Sequence, residues 1–177
     1  DQIDHNIYGN SLVPSEPINR LASEGMKFTN AYTTQAICAP SRSQIFTGLY
    51  PIKNGCYANH LPVKKDIIDV NDYLQSVGYE VVLAGKSHVN PSSVFNWTYY
   101  FKNEGKLLPM DKIKRYIKNA KKPFCMFITS DYPHGPFPTN TQFSDEDIYQ
   151  NPYSNKSRLT NEKGYYQNIL YDNNQLE

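Results

Sequence analysis

The sequence predicts an α/β protein with a mainly parallel sheet flanked by helices. Two apolar runs, 79–84 and 124–129, lack the alternation of a half-exposed strand and are typical of strands buried on both faces. A helical pattern precedes each run, at 69–78 and 111–120. Because helices and buried strands alternate along the chain, we expect parallel strands joined by helical connections.

Capping residues set the boundaries of the predicted helices. Ser15 is a candidate N-cap for a helix that ends at Gly25, and Asp69 is one for a helix that ends at Gly78. The apolar periodicity predicts which side chains face inward on these two helices and on helix 111–120. They are Ile18, Leu21, Ala22, Val70, Tyr73, Leu74, Val77, Ile113, Tyr116, Ile117 and Ala120.

The remaining segments are a strand, a final helix and loops. Residues 26–32 alternate in character, which predicts a half-buried strand. Residues 161–177 carry the pattern of a helix. Polar or irregular composition predicts loops at 1–14, 52–68, 89–109 and 138–160.

Length, charge and cysteine content exclude several classes of protein. A chain of 177 residues can form one domain with a sizeable core. The formal net charge of +1 gives no case for nucleic acid or an anionic membrane as partner, and no apolar run is long enough to span a membrane. Three cysteines do not make a disulfide framework, although a Cys38–Cys56 bridge is compatible with the sequence.

The stretch 38–51 holds the strongest candidate for a reactive site. Pro40 is tolerated only in the first turn of a helix, so a short helix should begin near Cys38 and stop at Gly48. A helix N-terminus favours anions, and Arg42 lies one turn after Cys38 on the same face. Together these features predict an oxyanion site; the alternative is a buried cysteine at an ordinary helix start. The apolar side of this helix consists of Ile45 and Phe46.

Ionisable side chains follow both predicted strands. Lys86 and His88 come after the first, and in extended backbone their side chains would share a side. His134 follows the second, in a loop framed by Pro133 and Pro136. Because ligands gather at the carboxyl ends of parallel strands, these groups predict one anion-handling pocket. The alternatives are a solvated lysine, a surface histidine and a turn histidine that caps a carbonyl.

The motif C-A-P-S-R-S-Q-I-F-T-G at 38–48, followed by L-Y-P, resembles the signature of the type I sulfatases. The resemblance implies an alkaline-phosphatase-like α/β fold. It also implies that Cys38 is oxidised to formylglycine, whose hydrated aldehyde is the catalytic nucleophile of that family. In the family mechanism, Arg42 helps to hold this nucleophile, as does a divalent cation.

Further segments resemble other parts of the same family. Residues 78–88 resemble its second signature, which implies catalytic roles for Lys86 and His88. P-H-G-P resembles the segment around a sulfate-contacting histidine, so the resemblance assigns His134 to sulfate and to the leaving group. Asp1 resembles the second of a metal-binding aspartate pair. A cation, Ca²⁺ or alternatively Mg²⁺, would then bind Asp1 and the residue formed from Cys38.

Two short motifs resemble the heparan N-sulfatase (sulfamidase) branch: N-G-C-Y-A-N-H at 54–60 and G-K-S-H-V-N-P at 85–91. His60 would then face the substrate, or alternatively lie in an exposed loop. The implied function is hydrolysis of a sulfate ester or sulfamate on a sulfated sugar or polysaccharide, as in glycosaminoglycan degradation. The alternatives are a phosphonate or phosphodiester hydrolase of the same superfamily and a catalytically inactive module that binds sulfated glycans.

The resemblance also sets expectations for the whole chain. We expect 1–177 to be the N-terminal part of a sulfatase catalytic domain, truncated at both ends and inactive by itself. The expected partners are a sulfated saccharide and a formylglycine-generating enzyme. The expected location is periplasmic, secreted or lysosomal.

Overall fold

A computed structural model describes residues 6–9, 12–148 and 155–176 of the chain. Its helices and strands fall into an alternating α/β order. They are a 3-10 helix (Asn6–Tyr8), α1 (Glu16–Glu24), α2 (Cys38–Thr47), α3 (Pro51–Asn54), α4 (Val70–Ser76), β1 (Glu80–Gly85), β2 (Tyr99–Phe101), α5 (Met110–Asn119), β3 (Phe124–Thr129) and α6 (Lys156–Leu176).

The chain divides into two compact units. The central unit consists of 30–129, and the terminal unit combines 1–29 with 130–177. None of the helices in the described ranges is long and apolar enough to cross a bilayer.

A three-stranded parallel sheet of order β2-β1-β3 organises the central unit. β1 pairs with β3 from Glu80 opposite Phe124 onward, and with β2 from Val82 opposite Tyr99. Residues 81–84 of β1 are 0% exposed, as expected for a parallel strand that is covered on both faces. The predicted α/β class, the parallel sheet and the positions of both strands are therefore confirmed, although β3 is half-buried rather than buried.

α2 packs against one face of this sheet through aromatic rings. The ring of Phe46 lies 5.1 Å from that of Phe127 in β3 and 5.0 Å from that of Trp97, both edge to face. The same buried cluster contains Ala39, Cys56, Val63, Val89, Val94 and Phe95. The helix that begins with Cys38 is thus fixed to the sheet by its own apolar stripe.

The inward face of α2 differs from the prediction at Ile45, which is 65% exposed. The buried stripe consists of Ala39, Pro40, Ser43 and Phe46. Each residue turns a helix by about 100°, so Ile45 lies well away from a stripe centred on Ala39 and Ser43. Only Phe46 of the two predicted apolar residues faces the core.

Four other side chains predicted to face inward are also exposed. They are Leu21, Tyr73, Val77 and Ile117. Within the described part of the chain, α1 has no buried residue, α4 buries only Asn71, and α5 buries only Ile113. A helix that contacts few neighbours buries a narrower stripe than its apolar periodicity allows.

Several of the remaining segments differ from their predictions. Residues 26–32 form no strand, and Met26 and Tyr32 are strongly exposed. An alternating segment becomes a strand only where a neighbour pairs with it, and no described strand does so here. The predicted loop 89–109 contains the short strand β2, and α6 begins at Lys156 rather than at residue 161.

The terminal unit is built around α6. Ile169 of this helix packs with Val13 and Phe143 in a small buried cluster. Asn168, also buried, donates from Nδ2 to the carbonyl oxygens of Pro133 and His134, each at 3.3 Å. α6 therefore holds the loop that follows β3.

Candidate active site

Cys38 is the first residue of α2 and is half-buried. Ile37 before it has extended backbone, and Gly48 ends the helix in the left-handed conformation with φ of 67°. The predicted start and stop of the helix are confirmed. Cys38 and Cys56 are both free thiols, so the bridge between them is not formed.

Asn59 caps α2 from a distant loop. Its Oδ1 accepts a hydrogen bond from the backbone N–H of Ala39 at 3.0 Å, which satisfies one of the first N–H groups of the helix. Gln35 ties the same loop to the chain before the helix, because its Nε2 donates to the carbonyl of Tyr57 at 2.7 Å. Asn59 was not predicted. The signal that could have found it is a cap-type residue directly before His60.

A buried asparagine fixes the other end of α2. Asn54 is 0% exposed, and its Nδ2 donates to the hydroxyls of Ser43 at 3.0 Å and Thr47 at 3.2 Å. Its Oδ1 accepts from the N–H of Cys56 at 2.8 Å. Burial raises the pKa of the Cys56 thiol, against a smaller lowering by Ser43. This cysteine is therefore a protonated part of the core, chemically distinct from the one at the helix start.

The carbonyl oxygen of Lys86 joins α2 to the sheet. Arg42 donates to it from Nη1 at 2.9 Å, and Thr129 donates from Oγ1 at 2.8 Å. The backbone N–H of Lys86 in turn donates to the carbonyl of Thr129 at 2.9 Å. The structure thus brings together Arg42, one turn after the cysteine, and the residue that follows β1.

Gly85 allows this close approach at the end of β1. Its φ is 110°, and a Cβ atom built on it would overlap the carbonyl oxygen of Thr129. Only glycine fits both conditions, because other residues rarely adopt this backbone conformation and all of them carry a Cβ. The position of Lys86 therefore depends on the residue before it.

His60 and His88 lie side by side. Nδ1 of His60 is 3.4 Å from Nε2 of His88, and the ring centroids are 5.1 Å apart. Both residues have positive φ, 70° and 55°, which is uncommon for a residue other than glycine and is often found at functional sites. The extended backbone assumed for Lys86 and His88 is therefore not present at His88.

His134 belongs to the terminal unit, in the loop held by α6. Its Nδ1 lies 2.8 Å from the carbonyl oxygen of Gly135, which can only accept, so Nδ1 carries the proton. This is the carbonyl contact foreseen as the alternative for this residue. In the neutral ring Nε2 is then an acceptor, and only the protonated ring can donate from Nε2. The membership of His134 in a common pocket with Lys86 stays a prediction.

The predicted metal ligands are not brought together in the described residues. Asp1 lies outside those residues. Within 6–9, 12–148 and 155–176, no three His, Cys, Asp or Glu side chains cluster in a way that could hold a metal ion. These ranges by themselves therefore do not make a complete site for a hard cation.

Comparison with known proteins identifies the family. The sulfatase family model matches residues 1–176. Across its whole length the chain is 48% identical to an ulvan-active sulfatase of Formosa agariphila, of which it covers 38%. It is 28% identical to an N-acetylglucosamine-6-O-sulfatase of Bacteroides thetaiotaomicron, with 82% of the chain and 31% of that protein covered. Against the N-sulphoglucosamine sulphohydrolase of Homo sapiens the identity is 25%, with 72% and 28% covered.

Solved structures share the fold. One comes from a Bacteroides thetaiotaomicron locus for metabolism of multiple glycosaminoglycans. It matches with a TM-score of 0.79 at 17% identity, over 98% of this chain and 51% of that chain. A 2-O glycosaminoglycan sulfatase matches with a TM-score of 0.69 at 16% identity, over 97% and 49%. The chain spans about a third of the length of the curated relatives described above. It belongs to the sulfatase family, as the resemblance of its 38–51 motif predicted.

Proposed function

We propose that the complete protein hydrolyses sulfate esters of a sulfated polysaccharide, with Cys38 converted to formylglycine as the nucleophile. The observation that carries the proposal is the joint between α2 and the sheet. Arg42, one turn after Cys38, donates to the carbonyl of Lys86 at 2.9 Å, so a helix N-terminus, a guanidinium and an ammonium-bearing residue are held in one place. This arrangement suits an oxyanion.

Each candidate residue of the central unit has a proposed role that follows from its chemistry. The hydrated aldehyde at position 38 would supply a hydroxyl that attacks sulfur while the S–O bond to the sugar breaks. Deprotonation of its second hydroxyl would then expel sulfate and restore the aldehyde. Arg42 and Lys86 are cationic and stabilise the charge that develops on the sulfate oxygens. His88 is the candidate base, and its contact with His60 requires one of the two rings to accept a hydrogen bond.

We propose that His134 donates a proton to the leaving group. Its Nδ1 contact with Gly135 fixes the ring and leaves proton donation to Nε2 of the imidazolium. His60 is the proposed substrate-facing residue of the loop that Asn59 docks onto α2.

Membership of the family implies formylglycine and a divalent cation. We propose Ca²⁺ as that cation, with Asp1 and residue 38 among its ligands, and a formylglycine-generating enzyme as the partner that modifies Cys38. We further propose that 1–177 is the N-terminal part of the catalytic domain and that the complete protein acts in the periplasm, outside the cell or in the lysosome.

The relatives narrow the substrate class. The 48% identical relative is named an ulvan-active sulfatase, which favours an ester on a sulfated polysaccharide. The relative named N-sulphoglucosamine sulphohydrolase is only 25% identical, so we rank an N-sulfate below an ester as the proposed substrate. Assays of the complete protein with an aryl sulfate and with a phosphodiester distinguish a sulfatase from the phosphodiesterase alternative.

The decisive experiment is mass spectrometry of the tryptic peptide 28–42 from protein made in its native host. We expect an aldehyde at Cys38. An unmodified thiol, beside a control sulfatase that is converted in the same cells, would overturn the formylglycine mechanism.

A further inference from the structure

The central sheet has a second face, away from α2. Paired residues of a parallel sheet point to the same side, and Tyr99 pairs with the residue two after Glu80, so both lie on one face. Phe127 lies on the other face, where it contacts α2. α5 covers the first face through Tyr116, whose ring lies 5.5 Å from that of Tyr99. This face and the start of α2 are therefore on opposite sides of the sheet.

A pocket of about 640 Å³ opens on this second face, between β2 and α5. Its floor consists of the rings of Tyr99, Phe101 and Tyr116, with centroid distances of 5.5, 6.0 and 6.2 Å. The hydroxyl of Tyr116 donates to Glu80 at 2.7 Å, which fixes that ring. Burial and this carboxylate raise the pKa of Tyr116, so its hydroxyl stays protonated. The volume is within the usual range of small-ligand sites.

The rim of the pocket is basic. Arg115, Lys121 and Lys122 line it and are exposed. The segment 102–122 carries eight Lys and Arg residues against two Asp and Glu, a local net charge of +6 in a chain whose total is +1. Four of these eight cations line the pocket, and one of the four, Lys112, is paired with Glu104 at 3.1 Å. The rest of the chain is net acidic.

We propose that this aromatic–basic pocket is an accessory binding site for a sulfated polysaccharide, separate from the site at Cys38. The apolar faces of sugar rings stack on aromatic side chains, and guanidinium and ammonium groups form charge-assisted hydrogen bonds to sulfate. The choice of a glycan over a nucleic acid rests on the proposed function. A second contact with the same polymer raises its effective concentration at the catalytic residues.

The test uses the complete protein with Cys38→Ala, so that the probe is bound and not consumed. Affinity electrophoresis in gels that contain dextran sulfate measures the dissociation constant, with neutral dextran as the uncharged comparison. One variant, Lys121→Glu with Lys122→Glu, reverses charge on the rim, and Tyr99→Ala removes part of the floor. The matched control reverses another exposed pair of adjacent lysines in the same unit, Lys64 and Lys65.

We expect both pocket variants to weaken dextran sulfate binding at least five-fold and the control pair to change it less than two-fold. In protein that keeps Cys38, the pocket variants should leave kcat/KM for a small aryl sulfate unchanged and lower it for the polysaccharide. If aryl sulfate is not hydrolysed while the pocket variants still lose binding, only the proposed function fails.

Three results would overturn the accessory site. The first is unchanged binding in both pocket variants. The second is that Lys121→Glu/Lys122→Glu weakens binding of dextran sulfate and of polyuridylate equally, while Tyr99→Ala changes neither. That combination would indicate a surface that binds any polyanion through charge alone. The third is a Tyr99→Ala protein that is destabilised without a change in binding, which shows that the protein's own chain fills the pocket.

Discussion

Arg42 has one observed task, its contact with the sheet, and one proposed task, contact with the sulfate, and both use the same side chain. Its Nη1 donates to the carbonyl of Lys86, and in the proposed mechanism the same guanidinium stabilises the sulfate oxygens. A guanidinium performs both tasks because it is a planar fork with five N–H donors. A lysine at this position would keep the charge and lose the geometry.

Arg42→Lys in the complete protein should therefore lower kcat/KM for an aryl sulfate about 100-fold, which corresponds to about 2.7 kcal/mol of lost transition-state stabilisation. Steady-state kinetics measures this, with Arg20→Lys on α1 as an exposed control. Activity within two-fold of the wild type would show that the contact with Lys86 is not needed to orient residue 42.

Two substitutions of Asn59 separate its effect on protein stability from the effect of a charge at this position on substrate binding. Asn59→Ala removes the cap on Ala39 and should lower the free energy of unfolding by about 1 kcal/mol. Asn59→Asp keeps an acceptor and should retain that stability, but it should raise KM because a carboxylate beside the helix start repels sulfate. Denaturant melts and kinetics on the two variants check this. Equal loss of stability in both would contradict the capping role.

At the scale of elements, α4 is held by a buried capping box. The Asp69 carboxylate accepts from the N–H groups of Asn71 and Asp72, and Asp72 accepts from the N–H of Asp69. Burial raises the pKa of Asp69 to about 6. Among the described residues, the buried Oδ1 of Asn71 has no hydrogen-bond partner, so in a rotated Asn71 amide this oxygen would accept a hydrogen bond from the O–H of a neutral Asp69.

The raised pKa of Asp69 predicts a pH dependence of stability. Because its folded-state pKa lies above the unfolded value, its contribution is complete below about pH 4 and is lost as the pH rises through 6. In Asp69→Asn this contribution is absent, while the cap is kept. The wild type should therefore gain about 1 kcal/mol over the variant between pH 7 and pH 4, with the value reduced for solvent screening. Denaturant titrations at both pH values measure it, with Asp66→Asn as the exposed control. Parallel pH profiles of the wild type and Asp69→Asn would contradict it.

The end of β1 also requires one particular residue type, a glycine at position 85. Gly85→Ala should destabilise the central unit by about 3 kcal/mol or more, because it adds a backbone clash with Thr129 to an unfavourable φ. Gly105→Ala is the matched control: Gly105 also has positive φ, 67°, but a Cβ there meets nothing within 4 Å. It should cost about 1 kcal/mol. Equal melting temperatures of the two variants would contradict the clash.

At the scale of the whole molecule, α2 and α3 each expose one large apolar side chain. Ile45 is 65% exposed and Ile52 is 77% exposed. The chain covers 38% of its ulvan-active relative, so much of such a protein lies outside these residues. Exposed apolar surface of this kind is typical of an interface.

Ile45→Asp should therefore cost less than about 0.5 kcal/mol in the isolated 177-residue chain and about 2 kcal/mol in the complete protein. Lys53→Asp, an exposed charge reversal close by, should be neutral in both. Calorimetry on the four variants and on the two wild-type proteins measures these differences. A complete protein that tolerates Ile45→Asp would show that this surface stays in water.

Local signals predicted the parts of the molecule that depend on neighbours in sequence. The start of α2 at Cys38 followed from Pro40, the α4 cap from Asp69, and β1 from a run that is apolar except at Glu80. Interactions across long separations could not be predicted in the same way. The cap from Asn59, the contact of Arg42 with the Lys86 carbonyl and the missing strand at 26–32 all depend on which distant backbone lies alongside.

These long separations also have a consequence in time. The surroundings of Cys38 are completed only when Thr129, which holds Lys86 and through it Arg42, has been made. Ribosomes add roughly 5–20 residues per second, so the 91 residues from position 39 to position 129 take about 5–18 s. During that interval the contacts of Arg42 and Thr129 with the Lys86 carbonyl cannot all be formed. An enzyme that must modify Cys38 before folding would work within a period set by how late β3 appears in the sequence.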